Sequence, residues 1–317
     1  MAILLRESDV SKLATMQMAL DAVEEAFRLQ GTKEADNAPR RRCRLAHGLL
    51  HVMSASLPTL GLAGLKSYTS IEGRTTFHVL LYSGEDGRLL AVIESNLLGQ
   101  MRTGAASGIA TKYMARANAS RVGIFGTGFQ ARSQLVAVLA VRPVETILAY
   151  GRNQARCEQF CREMTETLGI RVMPASSPEQ AAKEVDIVIT ATTSKEPVFK
   201  GEWLAAGTHI NAVGSNHPRR REIDVETVSR SACVVVDSIE QSMIEAGDLL
   251  SAAEADAFYW EDARELGLVV IGDFPGREDD REITLFKSTG VAFEDVAFAG
   301  RIYRAAVKAG LGEPLPL

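Results

Sequence analysis

The stretch Val122-Gly123-Ile124-Phe125-Gly126-Thr127-Gly128-Phe129-Gln130-Ala131 joins a short apolar strand directly to a G-x-G-x-x-A turn that opens a helix. In that setting Gly126 permits a tight turn, Gly128 lets the backbone reach a pyrophosphate, and Ala131 allows the helix to contact the strand. The helix N-terminus adds unpaired N–H groups and a partial positive charge. The stretch predicts a dinucleotide site, with a bare glycine turn as the alternative. The residues expected to contact the cofactor here are Gly126, Thr127, Gly128, Phe129 and Gln130.

Short apolar strands and helices alternate on the C-terminal side of this stretch. The alternation is typical of an α/β protein with a Rossmann doubly wound parallel sheet, in which helices cover both faces. Leu268–Ile271 and Ile283–Phe286 are candidates to extend the sheet, and Val291–Ala309 predicts a last long helix. The predicted strands are Val122–Phe125, Thr146–Tyr150, Arg171–Met173, Asp186–Ala191, His209–Val213 and Cys233–Asp237.

The first hundred residues have an α+β character instead. Apolar residues spaced four and three apart predict one helix over Asp9–Gln30, and the turn Gly84–Gly87 separates two strands of an antiparallel sheet. A second helix is expected over Met101–Ala115, and the best linker candidate follows at residues 116–120. The predicted strands are His47–Ser54, Gly64–Tyr68, Phe77–Tyr82 and Leu89–Ile93.

Length and composition exclude several classes of protein. With 317 residues, of which 46% are hydrophobic and 24% charged, the chain is neither disordered nor a fibrous repeat, and its length favours two domains. The net charge of −5 argues against a nucleic-acid partner. No signal-peptide pattern and no apolar run of about 18 residues is present, which predicts a cytoplasmic protein without a membrane partner. The 4 cysteines and 5 histidines lack metal-ligand spacing, so no metal is expected.

The strand after the glycine turn ends at Gly151-Arg152-Asn153, where NAD-preferring enzymes place a carboxylate for the ribose hydroxyls. No carboxylate stands here, and Arg152 supplies a guanidinium that can pair with a 2′-phosphate. The sequence therefore favours NADP(H) over NAD(H), unless Arg152 only points to solvent. Ligands of open α/β sheets bind beyond the carboxyl ends of the strands, so small residues that follow later strands should line the nicotinamide half of the site. These are Thr190, Ala191, Thr192, Val213, Gly214 and Ser215.

Several motifs spread along the chain carry a family resemblance. They are Asn37-Ala38-Pro39-Arg40, His51-Val52-Met53, Gly64-Leu65-Lys66, Met101-Arg102-Thr103-Gly104-Ala105-Ala106-Ser107, the glycine turn, Ile189-Thr190-Ala191-Thr192-Thr193-Ser194, Asn211-Ala212-Val213-Gly214-Ser215 and Phe286-Lys287-Ser288-Thr289-Gly290. In these motifs and their order the chain resembles the ornithine cyclodeaminase/mu-crystallin family, which includes cyclodeaminases, alanine dehydrogenases and ketimine reductases. The resemblance implies a homodimer in which residues 1–116 and 291–317 form a substrate-binding and dimerisation domain. It implies that residues 117–290 form an NAD(P)-binding Rossmann domain.

The resemblance also implies roles for single residues. Arg40, Lys66 and Arg102 match the positions that hold the α-carboxylate of the substrate, and guanidinium and ammonium groups suit that task. Lys66 lies in an apolar setting beside two arginines, so we expect a lowered pKa and proton exchange near neutrality; a structural salt bridge is the alternative. The resemblance further places Arg102, Thr103 and Arg220 at the cofactor, and Ser288 and Thr289 over substrate and nicotinamide.

Two departures from the cyclodeaminase pattern decide the reaction class. Where those enzymes carry a Glu and an Asp that bind and deprotonate amino groups, this chain has His51 and Asn216. Asn cannot take a proton, and His does not pair with an ammonium as a carboxylate does.

The prediction is an NADPH-dependent reductase of a cyclic ketimine carboxylate, Δ1-pyrroline-2-carboxylate or Δ1-piperideine-2-carboxylate, with Lys66 as proton donor, Asn216 orienting the imine nitrogen and His51 beside the substrate. The alternatives are an alanine-type amino-acid dehydrogenase, an ornithine cyclodeaminase and a noncatalytic NADPH-binding protein.

Overall fold

The computed structural model of the protein describes residues 1–316, which form two β-sheets with helices packed on them. The strands are β1 (Ala2–Leu5), β2 (Asp36–Leu45), β3 (Gly48–Leu57), β4 (Leu62–Ile71), β5 (Arg74–Ser83), β6 (Leu89–Glu94), β7 (Arg121–Phe125), β8 (Thr146–Tyr150), β9 (Val172–Pro174), β10 (Ile187–Thr190), β11 (His209–Ala212), β12 (Ser231–Val236), β13 (Arg264–Glu265), β14 (Ile283–Lys287) and β15 (Glu313–Leu315). The helices are α1 (Glu7–Leu13), α2 (Met16–Gly31), α3 (Asn96–Met114), α4 (Phe129–Val141), α5 (Gln154–Leu168), α6 (Pro178–Ala182), α7 (Val225–Ser229), α8 (Ile239–Glu245), α9 (Gly247–Glu254), α10 (Leu266–Ile271) and α11 (Ala292–Ala309).

The chain divides into two compact units. The first, called here the antiparallel unit, consists of Met1–Arg102 and Gly290–Leu317. The second, called the Rossmann unit, is Thr103–Thr289. The division falls inside α3.

In the antiparallel unit, α11 packs on one face of a seven-stranded sheet with the order β15-β1-β6-β5-β4-β3-β2, and α2 packs against α11. All neighbouring strands are antiparallel except β1 and β6. Small residues let α11 approach the sheet closely, because a Cβ at Gly64 would lie 3.0 Å from Val296 and one at Gly300 would lie 2.3 Å from Leu62. The rings of Phe27 and Phe293 meet edge to face at 5.3 Å in the core between α2 and α11.

In the Rossmann unit, an eight-stranded parallel sheet has the order β13-β12-β14-β11-β10-β7-β8-β9. The chain runs outward from β7 through β8 to β9 and then returns to β10 on the other side of β7. The strand order therefore reverses between β7 and β10, and ligands of such sheets bind in the crevice at this switch point. The predicted parallel α/β sheet and the antiparallel sheet of the first hundred residues are both confirmed.

Two predicted elements are wrong. The segment Leu268–Ile271 lies in the helix α10 and not in a strand, since a short apolar run has the same composition in a buried strand and a buried helix. The single helix expected over Asp9–Gln30 is broken into α1 and α2. Ala14 is extended there, and Thr15 starts the second helix by accepting a hydrogen bond from Met18 N.

Two short strands of the antiparallel unit, β1 and β15, were not predicted. Each has four residues or fewer, and β15 pairs only with β1, from the opposite end of the chain. None of the helices in residues 1–316 has both the length and the apolar character needed to cross a bilayer.

Candidate active site

A cleft of about 600 Å³ opens in the Rossmann unit at the carboxyl ends of β7, β8 and β10, and is called here the cofactor cleft. It lies at the point where the strand order reverses, which is where dinucleotides bind in this fold. Its lining residues are Phe125, Gly126, Thr127, Gly128, Tyr150, Gly151, Arg152, Asn153, Arg156, Ala191, Thr192, Thr193, Ser194 and Val198.

The glycine turn between β7 and α4 has the geometry that a pyrophosphate needs. Gly126 has φ of 101°, and a Cβ there would lie 2.3 Å from the carbonyl oxygen of Ala191, so only glycine fits without strain. Gly128 is the N-cap of α4, and a Cβ on it would meet no atom within 4 Å. Open space therefore lies in front of the N-terminus of α4, and these residues fit the phosphates of a dinucleotide.

The adenosine end of the cleft carries two guanidinium groups. Arg152 and Arg156 are both exposed, and the described lining residues include no Asp or Glu. Asn153 caps α5, because its side chain accepts a hydrogen bond from Arg156 N at 2.9 Å. Sequence reasoning missed Arg156, which lies in the first turn of α5, although it follows Arg152 by only four residues.

The structure separates the expected nicotinamide residues into two groups. Ala191 and Thr192 line the cofactor cleft, whereas Thr190 is fully buried and its hydroxyl donates to Glu222 at 2.9 Å. The other group, Val213, Gly214 and Ser215, does not line this cleft. The backbone N–H of Gly214 donates to Glu222 at 2.6 Å, Ser215 is buried, and Val213 is half-buried.

Other predicted cofactor residues also lie outside the lining of this cleft. Phe129 is 47% exposed in the first turn of α4, Gln130 beside it is half-buried, and Arg220 is exposed. The carbonyl oxygen of Thr103 accepts a hydrogen bond from Gln134 at 3.1 Å. Asn216 follows β11 and is half-buried.

Three buried cations meet in the antiparallel unit and are called here the cation cluster: Arg40 from β2, Lys66 from β4 and Arg102 from α3. Arg40 donates to the carbonyl oxygen of Gly290 at 3.0 Å, and a Cβ on Gly290 would lie 2.8 Å from Arg102 Nη1. Gly290 thus lies against both arginines. Burial singles out Arg40 among the arginines of β2, and the strand register shifts between Ala38 and Arg41, as at a β-bulge.

Two buried carboxylates from α11 contact the cation cluster. Lys66 Nζ lies 2.8 Å from Asp295 Oδ1, and Arg102 Nε lies 3.2 Å from the same oxygen. Arg102 Nη1 lies 2.5 Å from Glu294 Oε2. Glu294 and Asp295 have no exposed surface, and sequence reasoning missed both, although they follow closely on the Phe286–Gly290 motif.

The environment of Lys66 lowers its pKa from 10.5 to about 8. Burial is the largest cause, and the positive charges of Arg102 and Arg40 add to it, while Asp295 opposes the shift. The ammonium also lies 5.2 Å from the centre of the Phe77 ring. A lysine with this pKa is mostly protonated at neutral pH and releases its proton readily, so it suits general acid chemistry.

His51 lies on β3 with its ring stacked on Tyr68 at 4.1 Å and its Nε2 hydrogen-bonded to Ser70 Oγ at 3.0 Å. Its pKa is lowered to about 4, first by burial and then by the charges of Arg42 and Arg40. The imidazole is therefore neutral at physiological pH. It can exchange hydrogen bonds with a ligand but cannot replace a carboxylate.

Ser288 and Thr289 follow β14 and are buried against Asp237 in the Rossmann unit. The Ser288 hydroxyl donates to Asp237 Oδ2 at 2.9 Å, and the Thr289 N–H donates to the same oxygen at 2.7 Å. Asp237, which has no exposed surface, therefore determines the conformation of this turn.

Comparisons with known proteins agree with the geometry. A model of the ornithine cyclodeaminase/mu-crystallin family matches residues 2–310. The alanine dehydrogenase of Archaeoglobus fulgidus is 37% identical over 321 residues, which cover 99% of this chain and 98% of that protein. A Δ1-pyrroline-2-carboxylate reductase of Bacillus cereus is 37% identical over 270 residues, 83% of each chain. A solved structure, the Thermococcus litoralis Δ1-pyrroline-2-carboxylate reductase in complex with NADH and L-proline, matches with a TM-score of 0.95 and 37% identity, covering 99% of this chain and 100% of that one.

The substitution Lys66→Met tests the lowered pKa of the lysine. Between pH of about 8 and about 10.5 the folded protein has released this proton while the unfolded chain keeps it, so stability should rise with pH across that range. The rise attributable to Lys66 is about 3 kcal/mol. Met has a similar shape and does not titrate, so the rise should be lost, as measured by urea unfolding at the two ends of the range.

Lys183→Met is the matched control, since the side chain of Lys183 is 58% exposed. This control should show the pH dependence of the wild type. An unchanged pH dependence in Lys66→Met would mean that Lys66 has an ordinary pKa.

Proposed function

The chain belongs to the ornithine cyclodeaminase/mu-crystallin family, and on that premise we propose that it reduces a cyclic ketimine carboxylate with NADPH. The substrate is Δ1-pyrroline-2-carboxylate or Δ1-piperideine-2-carboxylate, and the product is proline or pipecolate. The observation that carries the proposal is the convergence of Arg40, Lys66 and Arg102 in one buried cluster. The positive charge of Arg40 also helps to keep His51 neutral. Segments 1–116 and 291–317 then bind substrate, and 117–290 bind the cofactor.

The cation cluster supplies what the imine needs from the protein. Arg40 and Arg102 would bind the carboxylate, because guanidinium groups form paired, charge-assisted hydrogen bonds with it. When bound in the cofactor cleft, NADPH would supply the hydride that reduces the imine carbon. Lys66 would donate the proton that the ring nitrogen retains in the product, and its lowered pKa supports that role. Asp295 holds the Lys66 ammonium in place at 2.8 Å.

Several residues would serve supporting roles in this reaction. Asn216 would orient the imine nitrogen, because an amide exchanges hydrogen bonds without taking the proton. His51 would form a neutral wall of the substrate site together with Tyr68, on which it stacks. Ser288 and Thr289 would close over the substrate, in the turn held by Asp237.

Cyclodeamination is disfavoured by the chemistry of the same positions. That reaction needs carboxylates to bind and deprotonate a diamino acid, and the corresponding residues here are His51 and Asn216. His51, with a pKa of about 4 in a field of two arginines, is a poor partner for a second ammonium group.

An alanine-type dehydrogenase is the second candidate. The alanine dehydrogenase from Archaeoglobus fulgidus matches nearly the whole chain at 37% identity, the same identity as the Bacillus cereus reductase, and so supports a dehydrogenase as well. Arg40, Lys66 and Arg102 would hold the carboxylate of a 2-oxo acid equally well, and reduction of an imine is the step that the two reactions share. A purely nucleotide-binding role would leave the lowered pKa of Lys66 without a use.

The cofactor cleft supports a preference for NADP(H). Arg152 and Arg156 can both pair with a 2′-phosphate, and the described lining residues offer no carboxylate to the ribose hydroxyls. The Thermococcus litoralis structure holds NADH, so NAD(H) is the alternative cofactor to test.

A homodimer is the proposed assembly. The face of the seven-stranded sheet opposite α11 carries a row of half-buried apolar side chains across three strands: Leu65, Leu80 and Val92. Apolar sheet faces of this kind are typical of subunit interfaces.

A panel of substrates tests the proposed reaction. NADPH oxidation is followed with Δ1-pyrroline-2-carboxylate, Δ1-piperideine-2-carboxylate and pyruvate with ammonia, and ornithine with NAD⁺ serves as the cyclodeamination assay. We expect a kcat/KM at least about tenfold higher for a cyclic imine than for pyruvate, because a preformed imine needs no ammonia capture. Faster turnover of pyruvate would favour the dehydrogenase, and ammonia release from ornithine without net NADH formation would contradict the proposed class.

Arginine substitutions test the cofactor preference. Arg152→Asp and Arg156→Ala should each raise the KM for NADPH more than that for NADH, by roughly tenfold or more for the first because a carboxylate repels the 2′-phosphate. Arg162→Ala, an exposed arginine of α5 that does not line the cofactor cleft, is the control. Equal losses with both nucleotides would remove the argument for a 2′-phosphate site.

A further inference from the structure

Three charged side chains with no exposed surface lie together in the Rossmann unit: Glu222, Asp248 and Lys287. We call them the buried charge cluster. Lys287 ends β14, Asp248 lies in α9, and Glu222 lies on the segment between β11 and α7. Burying these charges costs free energy that the two carboxylates and one ammonium offset only in part, so the arrangement calls for a role besides stability.

Glu222 connects the ends of two neighbouring strands. Its Oε1 accepts the N–H of Thr192 at 2.6 Å, and its Oε2 accepts the N–H of Gly214 at 2.6 Å. Oε2 also accepts the hydroxyl of Thr190 at 2.9 Å. One carboxylate therefore holds the backbone after β10 and the backbone after β11, which are neighbours in the parallel sheet.

The rest of the cluster holds Glu222 in position. Asp248 Oδ1 accepts the N–H of Glu222 at 2.6 Å and that of Ile223 at 3.1 Å. Lys287 Nζ lies 2.8 Å from Asp248 Oδ2 and donates to the carbonyl oxygen of Ser215 at 2.9 Å. The cluster thus contacts the backbone of both loops, which leaves Glu222 little freedom to move.

The packing around Glu222 requires a glycine at position 214. A Cβ on Gly214 would lie 2.3 Å from Glu222 Oε1 and 2.4 Å from Thr192 N. The two loops therefore meet across the carboxylate itself, and their relative position depends on its hydrogen bonds.

Two of the groups that hydrogen-bond to the Glu222 carboxylate are backbone N–H groups, which can only donate, and the third is the Thr190 hydroxyl. The ionised carboxylate accepts from all three groups at once, whereas the carboxylic acid would have to reverse the bond to Thr190 and would accept more weakly from the two backbone N–H groups. Burial opposes ionisation and is the largest cause of the raised pKa of Glu222. The negative charge of Asp248 acts in the same direction, and Lys287 acts against both.

We propose that Glu222 is a positioning residue for the nicotinamide cofactor, whose ionised carboxylate fixes loops 191–194 and 213–215 in the conformation that receives it. This inference rests on the proposed cofactor binding and adds a regulatory consequence to it. Because the ionised form holds the two backbone N–H groups more strongly than the acid does, cofactor binding draws Glu222 towards ionisation and releases a proton when the pH is low enough for the free protein to hold one.

Lowering the pH acts through Glu222 in opposite directions on cofactor binding and on folding stability. A carboxylate whose pKa is raised on folding keeps its proton better in the folded state than in the unfolded one, so lowering the pH does not unfold the protein through Glu222. Weaker cofactor binding at acidic pH, without any loss of folding stability caused by Glu222, is therefore the signature of this residue.

The test is isothermal titration of NADPH and of NADH into the full-length protein at about pH 5.5 and about pH 8, in two buffers of different ionisation enthalpy. The isosteric variant Glu222→Gln should bind both nucleotides about tenfold more weakly at the higher pH, because its amide N–H₂ group must face a backbone donor. It should also lose the proton release that the wild type shows at the lower pH. A 2′-phosphate can itself release a proton, so the comparison is made between variant and wild type and with both nucleotides.

Glu265→Gln is the matched control. Glu265 is a half-buried carboxylate of the Rossmann unit whose pKa is also raised by burial, but the N–H from which it accepts belongs to Ile239. Thermal melts establish that each variant is folded. The control should bind like the wild type and keep the proton release.

The outcomes separate this proposal from the proposed function. Wild-type affinity and proton release in Glu222→Gln, or equal losses in Glu222→Gln and Glu265→Gln, would overturn the role of Glu222. Wild-type protein that binds NADPH with proton release but reduces none of the imines would overturn the substrate assignment and support the role of Glu222.

Discussion

The reaction proposed for the antiparallel unit depends on one interaction, the ion pair between Lys66 and Asp295. The two groups lie 2.8 Å apart and have almost no exposed surface, so they join β4 to α11 in the centre of the unit. Taking both charges out of water costs more than their mutual attraction returns in most proteins. The close packing of α11 on the sheet offsets that cost, and the site gains a lysine whose pKa lies near the pH at which it would act.

The Rossmann unit also contains buried charges, but there the group that contacts the two loops is a carboxylate. Glu222, Asp248 and Lys287 are fully buried, and their polar contacts go mostly to the backbone of strand-end loops. Backbone N–H groups at these loop positions need acceptors, and a carboxylate can serve two loops at once. In both units, then, buried charge is used to place other groups, and apolar packing supplies the stability.

The neutral state of His51 connects the fold to the reaction class. Its ring is stacked on Tyr68, bonded to Ser70 and repelled as a cation by two arginines of β2. A carboxylate at this position would instead be stabilised by the same arginines and could bind an ammonium group. One side chain therefore changes which substrates the cation cluster would accept while the surrounding strands stay the same.

Short stretches of the sequence were enough to predict much of the fold, but they did not predict many of the contacts in the candidate active site. The glycine turn, the parallel strands and α11 depend on residue patterns within a few positions, and these predictions were confirmed. The pattern failed at Leu268–Ile271, because a short apolar run does not distinguish a helix from a strand without its neighbours. The motifs indicated Arg40, Lys66 and Arg102, but not Asp295, which lies 229 positions after Lys66. The sequence thus determined the backbone elements and the kinds of functional group, since local patterns are sufficient for both. Only the tertiary structure decided the pairing of Lys66 with Asp295, the neutral state of His51 and the contacts of Glu222, because electrostatic energy depends on burial and on partners that are distant in the chain.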